Sequence, residues 1–182
     1  MQMRFAQPPD AEAVWQLIGR VIDTSYATAY SPRALDLFRH YHSRAAVADR
    51  IAHGLVLVVE QEGRLVGTGT LHDGEILGVF VSPDGQGRGI GGAIMDALEH
   101  EARAGGLARI TLGASLTALD FYTRRGYTLR TKMVMDAGEG EHLDYYPADK
   151  ALTDPVAEAA PGAAPGEAAE RATASATVAR HG

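Results

Sequence analysis

A glycine-rich segment joins a strand to a helix near the middle of the chain: "VFVSPDGQGRGIGGAIMDAL", residues 79–98. Before it, "EILGVFVSP" has the composition of a strand and ends at Pro83 and Asp84. After it, Ile90, Ile94, Ala97, Leu98 and Ala102 recur at helical spacing, and Gly105 and Gly106 stop the helix. A strand turned into a helix by glycines gathers free backbone N–H groups and the positive end of a helix dipole around one point. That arrangement suits a pyrophosphate. Two fingerprints overlap here. Gly87-x-Gly89-x-x-Gly92 matches a dinucleotide loop, and Gln86-x-x-Gly89-x-Gly91 matches a second kind of pyrophosphate loop. The seven residues Gln86–Gly92 do not separate the two.

The surrounding sequence does. A dinucleotide fold places its loop after an early strand of a repeated βαβ pattern, with an acidic residue about 20 positions on. Here a short strand at Met3–Ala6 precedes a helix in "PPDAEAVWQLIGRVIDTSY". Asp10 is its expected cap, Val14, Leu17, Ile18, Val21 and Ile22 form its apolar stripe, and Trp15 reads as packing beside it. Ser31 and Pro32 open a second helix, "PRALDLFRHY", and "SRAAVADRIAH" is a third. "GLVLVVEQ", "RLVGTGTLH" and "EILGVFVSP" then form a meander, with Asp73-Gly74 as a hairpin signal. Gly78 implies a bulge or a close backbone approach. Downstream come a strand in "LARITLGA", a short helix in "SLTALDFYTRRG" with Ser115 as its cap, and a hairpin of "YTLRTKMVMD" with "EHLDYYP". The order is β-α-α-α-β-β-β-α-β-α-β-β. It leaves too few elements after the loop for the second half of a dinucleotide fold, and G-x-x-x-x-G-K-[ST] is absent.

Composition removes other classes. With no cysteine, the chain has no disulfide, no thiolate-ligated zinc or iron–sulfur site and no thiol acyl-enzyme. A net charge of −6 gives no general basic footprint for nucleic acid. No apolar run approaches the roughly 20 residues of a membrane span, and the N-terminal stretch lacks the apolar core of a secretory signal. A cytoplasmic protein without membrane or nucleic-acid partners is the expectation. The seven histidines show no metal-ligand spacing. His40 and His42, flanking Tyr41, read as a solvated helix end, and no metal is expected. Residues 151–182 hold 12 Ala, 3 Pro and 3 Gly with almost no large apolar side chain, too little to offset ordering entropy. The expected organisation is one domain over 1–150 and a disordered tail over 151–182.

Strand, proline, Gln-x-x-Gly-x-Gly loop and amphipathic helix, together with "ALDFYTRRGY" and the order of elements, resemble the GNAT superfamily of N-acetyltransferases. The resemblance spans about Met3 to Lys150. It implies an α/β (α+β) fold with a mixed, mostly antiparallel central sheet flanked by helices. It also implies acetyl-CoA as cosubstrate and a small-molecule or peptide amine as acceptor, attacked directly in a ternary complex. Gln86, Gly87, Arg88, Gly89, Ile90, Gly91 and Gly92 would hold the pyrophosphate. A backbone N–H within Gly78–Val81, favouring Val79 or Phe80, with Val81 beside them, would meet the thioester carbonyl. Tyr122 matches the tyrosine that serves as general acid toward the departing thiolate. Ser115 stands where the family commonly has an asparagine bonded to the cofactor arm. Glu75, eleven residues before Gln86, matches the general base of one branch, with His72 and Asp73 as rivals. Tyr26 and Tyr30 fall in the break between helices that shapes acceptor pockets, where aromatic rings can meet a cationic amine. Arg124 and Arg125 read as a solvated helix face. A non-catalytic acyl-CoA-binding or sensing module is the alternative reading. The late hairpin offers an edge for a homodimer.

Overall fold

The computed structural model describes residues 1–152; residues 153–182, which make up nearly all of the expected tail, lie outside the described residues. Strand β1 (Gln2–Phe5) is followed by helices α1 (Ala11–Thr24), α2 (Pro32–Tyr41) and α3 (Arg44–His53). The meander β2 (Leu55–Gln61), β3 (Arg64–His72) and β4 (Glu75–Val81) leads into α4 (Ile90–Ala104). Strand β5 (Arg109–Ser115), helix α5 (Leu119–Arg124) and strands β6 (Thr128–Leu129), β7 (Met133–Gly138) and β8 (Glu141–Ala151) complete the sequence. One sheet runs β1-β2-β3-β4-β5-β8-β6, with β7 also paired to β8. Every pairing is antiparallel except β4 with β5.

The continuous apolar run of β2 reflects burial on both faces. Val59 packs with Ile90, Ile94, Met95 and Leu98 of α4. Its neighbour Val58 packs with Val14, Leu17, Ile18, Val21 and Ile22 of α1. The whole expected α1 stripe is buried. Ser31 caps α2 by accepting from the Ala34 N–H. Asp10 makes no side-chain cap on α1, because its carboxylate accepts from the Arg4 guanidinium at 2.7 Å and the Gln7 N–H at 2.7 Å. Trp15 is 39 % exposed, so it lies outside the core rather than packing beside the stripe.

Two irregularities shape the centre of the sheet. Thr70 pairs with Gly78 but Leu71 pairs with Ile76, so Leu77 is an extra residue, a bulge beside the glycine that signalled one. On its other edge β4 pairs with β5 only at Glu75–Thr111 and Ile76–Leu112. Beyond that point the two strands part. Asp73 and Gly74 form the hairpin turn with φ of 48° and 81°, the left-handed pair that a two-residue type I′ turn requires.

Helix α4 lies close on β3 because Gly67 and Gly69 present no side chain to it. A Cβ at Gly67 would meet Ile90 and Ile94 at 2.9 Å, and one at Gly69 would meet Leu98 at 3.0 Å and overlap Ile94. The expected final hairpin is interrupted: β6 and β7 are separate strands on the same partner. The Arg130 N–H donates to the Pro147 carbonyl at 2.7 Å, so Pro147 turns its nitrogen toward this side too. That nitrogen has no hydrogen to offer, and the ladder breaks there. Strand β8 runs to Ala151, and Leu152 is buried after it.

Candidate active site

The segment from Pro83 to Gly85 is a short 3-10 turn, and α4 begins at Ile90. Gly87 and Gly89 have φ of 74° and 80°, a left-handed backbone that glycine adopts without steric cost. The N–H groups of Gly85 and Gln86 are used within the turn, on Ser82 and Pro83 carbonyls. Those of Gly87, Arg88, Gly89, Ile90, Gly91 and Gly92 find no backbone acceptor among the described residues, and no side chain caps α4. Six free donors at the positive end of a 15-residue helix fit a pyrophosphate.

Gln86 behaves differently from its neighbours. Its Nε2 donates to the Val81 carbonyl at 3.1 Å and to Ser25 Oγ at 3.0 Å. A carbonyl can only accept, so the amide orientation is fixed and both N–H groups are spent on the protein. Gln86 is a brace for the loop, and only its oxygen remains to face outward. Arg88 is exposed on the loop.

The parting of β4 from β5 leaves backbone groups of β4 without a strand partner. Ser82 donates to Val66 at 2.9 Å, toward β3. Antiparallel alternation then turns the Phe80 N–H toward its partner Thr68 and the Val79 and Val81 N–H groups toward the gap. Val79 and Val81 therefore carry the free donors, and Phe80 does not. The Phe80 side chain is buried on the α1 side of the sheet.

Tyr122 stands on α5, 6 % exposed, its ring edge-on to Phe121 and Tyr127. Burial pushes its hydroxyl well above the ordinary tyrosine range; the nearby Tyr26 adds to this and Arg125 opposes it. Burial raises Tyr26 as well, and the neighbouring Ser115 hydroxyl acts against the rise. Thus Tyr26 sits within electrostatic reach of both Ser115 and Tyr122, which are far from it in sequence. Ser115 Oγ lies 3.1 Å from Thr117 Oγ1 and makes no side-chain cap. Tyr30 is a structural brace: its hydroxyl donates to the Asp144 carbonyl and accepts from the Leu116 N–H, both at 2.8 Å. Burial pushes that hydroxyl up to about 12. Its ring is enclosed between Tyr26 and Phe38.

Glu75 begins β4 on the face opposite Ile76, half-buried. Burial raises its carboxyl above the usual range, and the positive neighbours Arg50 and His72 moderate the rise. Tyr41 and Tyr145 complete its surroundings. Val79 stands four positions further along the strand, about 13 Å at ordinary rise. His42 is not at a solvated helix end: it is 5 % exposed, edge-on to Phe80, with Nδ1 2.9 Å from the Arg50 guanidinium. Burial, then Arg50, lowers it to about 3, so the ring is neutral and Nδ1 accepts. His42 and Arg50 line a cavity of about 10 Å³ against the Leu77–Gly78 bulge, the volume of one water. Arg125 is not a solvated side chain: it bonds Asp96 and lies 3.7 Å from the buried Glu99.

A mixed sheet is thus parted at its centre, with free strand amides running toward a row of free loop amides. The chain belongs to the GNAT acetyltransferase family: residues 26–140 match the family described as an acetyltransferase (GNAT) domain. Among solved structures, it is similar to a GCN5-related N-acetyltransferase from Rhodopseudomonas palustris, with 28 % identity over 82 % of this chain and 94 % of that one, and a TM-score of 0.75. The fold is shared with the PaiA N-acetyltransferase of Thermoplasma acidophilum in complex with coenzyme A (17 % identity, 83 % and 99 % coverage, TM-score 0.66). It is shared also with YncA of Salmonella typhimurium with its cofactor acetyl-CoA (22 % identity, 90 % and 99 % coverage, TM-score 0.62). No helix of the described residues is long and apolar enough to cross a membrane.

Proposed function

We propose that the protein transfers the acetyl group of acetyl-CoA to a primary amine by direct attack. The six free N–H groups of Gly87–Gly92 carry this reading, because they end a gap whose wall holds the free N–H groups of Val79 and Val81. The loop amides bind the pyrophosphate. A strand amide, Val79 or Val81, donates to the thioester carbonyl and stabilises the oxyanion that forms on attack. The amine nitrogen bonds to the carbonyl carbon, the carbon–sulfur bond breaks, and the thiolate leaves.

Two protons move. The amine must shed one, and Glu75 receives it; at its distance from Val79 the transfer runs through water. The thiolate gains one from Tyr122, whose hydroxyl burial keeps protonated; the phenolate left behind is the stronger base and regains its proton, through water, from the one the amine has shed. Tyr26 walls the acceptor side with Phe38 and Phe80.

The test is a calorimetric titration with acetyl-CoA, with NADH as control, followed by thiol release with a panel of amines. Acetyl-CoA binding with amine-dependent thiol release supports the proposal. Binding without release from any amine turns the reading to an acyl-CoA-binding module. Binding of NADH instead of acetyl-CoA overturns it.

A further inference from the structure

The brace on Gln86 joins two parts of the site that the backbone leaves far apart. One Nε2 hydrogen holds the Val81 carbonyl at the end of β4; the other holds Ser25 Oγ at the end of α1. Ser25 directly precedes Tyr26, which opens the 3-10 turn Tyr26–Thr28. The Ala29 and Tyr30 N–H groups both donate to the Tyr26 carbonyl, at 2.9 and 3.0 Å, so the turn moves with Tyr26. The Tyr26 ring packs on Phe38 at 4.8 Å, Tyr30 at 5.9 Å and Phe80 at 6.1 Å. Nothing else among the described side-chain hydrogen bonds ties the loop to this wall. A single amide thus spans from the donor loop to the residue before the acceptor wall, across 61 positions of sequence.

We propose that Ser25 is a positioning residue: through its bond to Gln86, filling of the loop Gly87–Gly92 fixes the turn Tyr26–Thr28, so the acetyl donor organises the acceptor wall before the amine arrives. The proposal rests on the reading of the loop as the donor's pyrophosphate site. Its physical basis is that the six loop amides have no backbone partner among the described residues and a phosphate would fix them in place of water, whereas Gln86 is already committed at both ends. Ordering the loop backbone therefore restricts Gln86, and Gln86 restricts Ser25.

Amide hydrogen exchange with and without coenzyme A tests this without knowledge of the amine. In the wild type, coenzyme A should slow exchange both at residues 87–92 and at Ala29 and Tyr30. The slowing at Ala29 and Tyr30 should be about 5-fold, the factor that one hydrogen bond of ordinary net worth confers. Ser25→Ala should keep the first effect and lose the second, and Ser25→Thr, which restores a hydroxyl, should recover the second. A merely structural role for Ser25 would change exchange at Ala29 and Tyr30 equally with and without coenzyme A. That result overturns the coupling, as does protection of Ala29 and Tyr30 that persists in Ser25→Ala. Slowing confined to residues 87–92 in the wild type overturns the coupling and leaves the donor site standing. Absence of slowing at 87–92 in every variant overturns the donor reading and the coupling with it.

Discussion

Tyr122 and Glu75 are shifted in the same direction by the same cause, burial, with opposite chemical uses. Burial opposes a charged phenolate, so Tyr122 stays protonated, the form that the proposed transfer to the leaving thiolate requires. Burial also opposes a charged carboxylate, so Glu75 binds a proton more tightly and becomes a stronger base. Tyr122→Phe should lower turnover by about 100-fold, the ordinary worth of a general acid, and leave acetyl-CoA affinity unchanged; thiol-release rates and calorimetry read the two separately. A base works only when deprotonated, so activity should fall as pH drops through a value above the ordinary 4.5 of glutamate. Glu75→Gln should abolish that acidic limb, and a limb that survives the substitution would assign it to another group. Much of this scale was legible in the sequence. The loop glycines, Tyr122 and Glu75 all stand in local patterns. The polarity of Gln86 and the choice of Val79 over Phe80 were not, because both depend on which way a strand turns its N–H groups. Ser25 was invisible, since its partner is 61 residues distant.

At the scale of elements, glycines on facing surfaces decide how closely the loop-bearing helix sits. A Cβ at Gly69 would overlap Ile94 and crowd Leu98, pushing α4 off β3. Gly69→Ala should destabilise the fold by about 1–3 kcal/mol, as overpacking does, with a loss of acetyl-CoA affinity because α4 carries the loop. Gly19, in the middle of α1, has nothing within 4 Å of its Cβ position. There Gly19→Ala should stabilise by roughly 0.5–1 kcal/mol, the difference in helix propensity. Urea midpoints for the two variants should move in opposite directions. Periodicity, caps and turn signals located α1 to α5 and the meander, because each follows from residues close in sequence. It joined β6 and β7 into one strand, since the break is imposed by Pro147 on the opposite strand. It also missed Glu99, a carboxylate on the apolar side of α4 that is buried because its partners come from other elements.

That carboxylate joins α4 to β8 and to the residues that follow α5. Glu99 on α4, 3 % exposed, meets Lys150 of β8 at 2.7 Å, Tyr127 at 3.3 Å, Arg103 at 3.4 Å and Arg125 at 3.7 Å. Glu99→Ala should cost about 3 kcal/mol, the lower end for breaking a buried ion pair, because Arg103 and Lys150 can still reach water. Asp96→Ala, on the exposed partner of Arg125, should cost under about 1 kcal/mol by the same denaturation measurement. The two outer edges of the sheet differ in a way that bears on the protein in bulk. Beside β1, Arg4 is paired with Asp10 and Glu60, so charge guards that edge. Strand β7 instead shows water three successive apolar residues, Met133, Val134 and Met135. The consequence is colloidal: at pH 7 a net charge of −6 keeps copies dispersed, and near the isoelectric point of 5.6 that repulsion disappears. Light scattering should climb as solutions approach pH 5.6, and Val134→Lys should suppress the climb; equal scattering from the variant would place the sticky surface elsewhere.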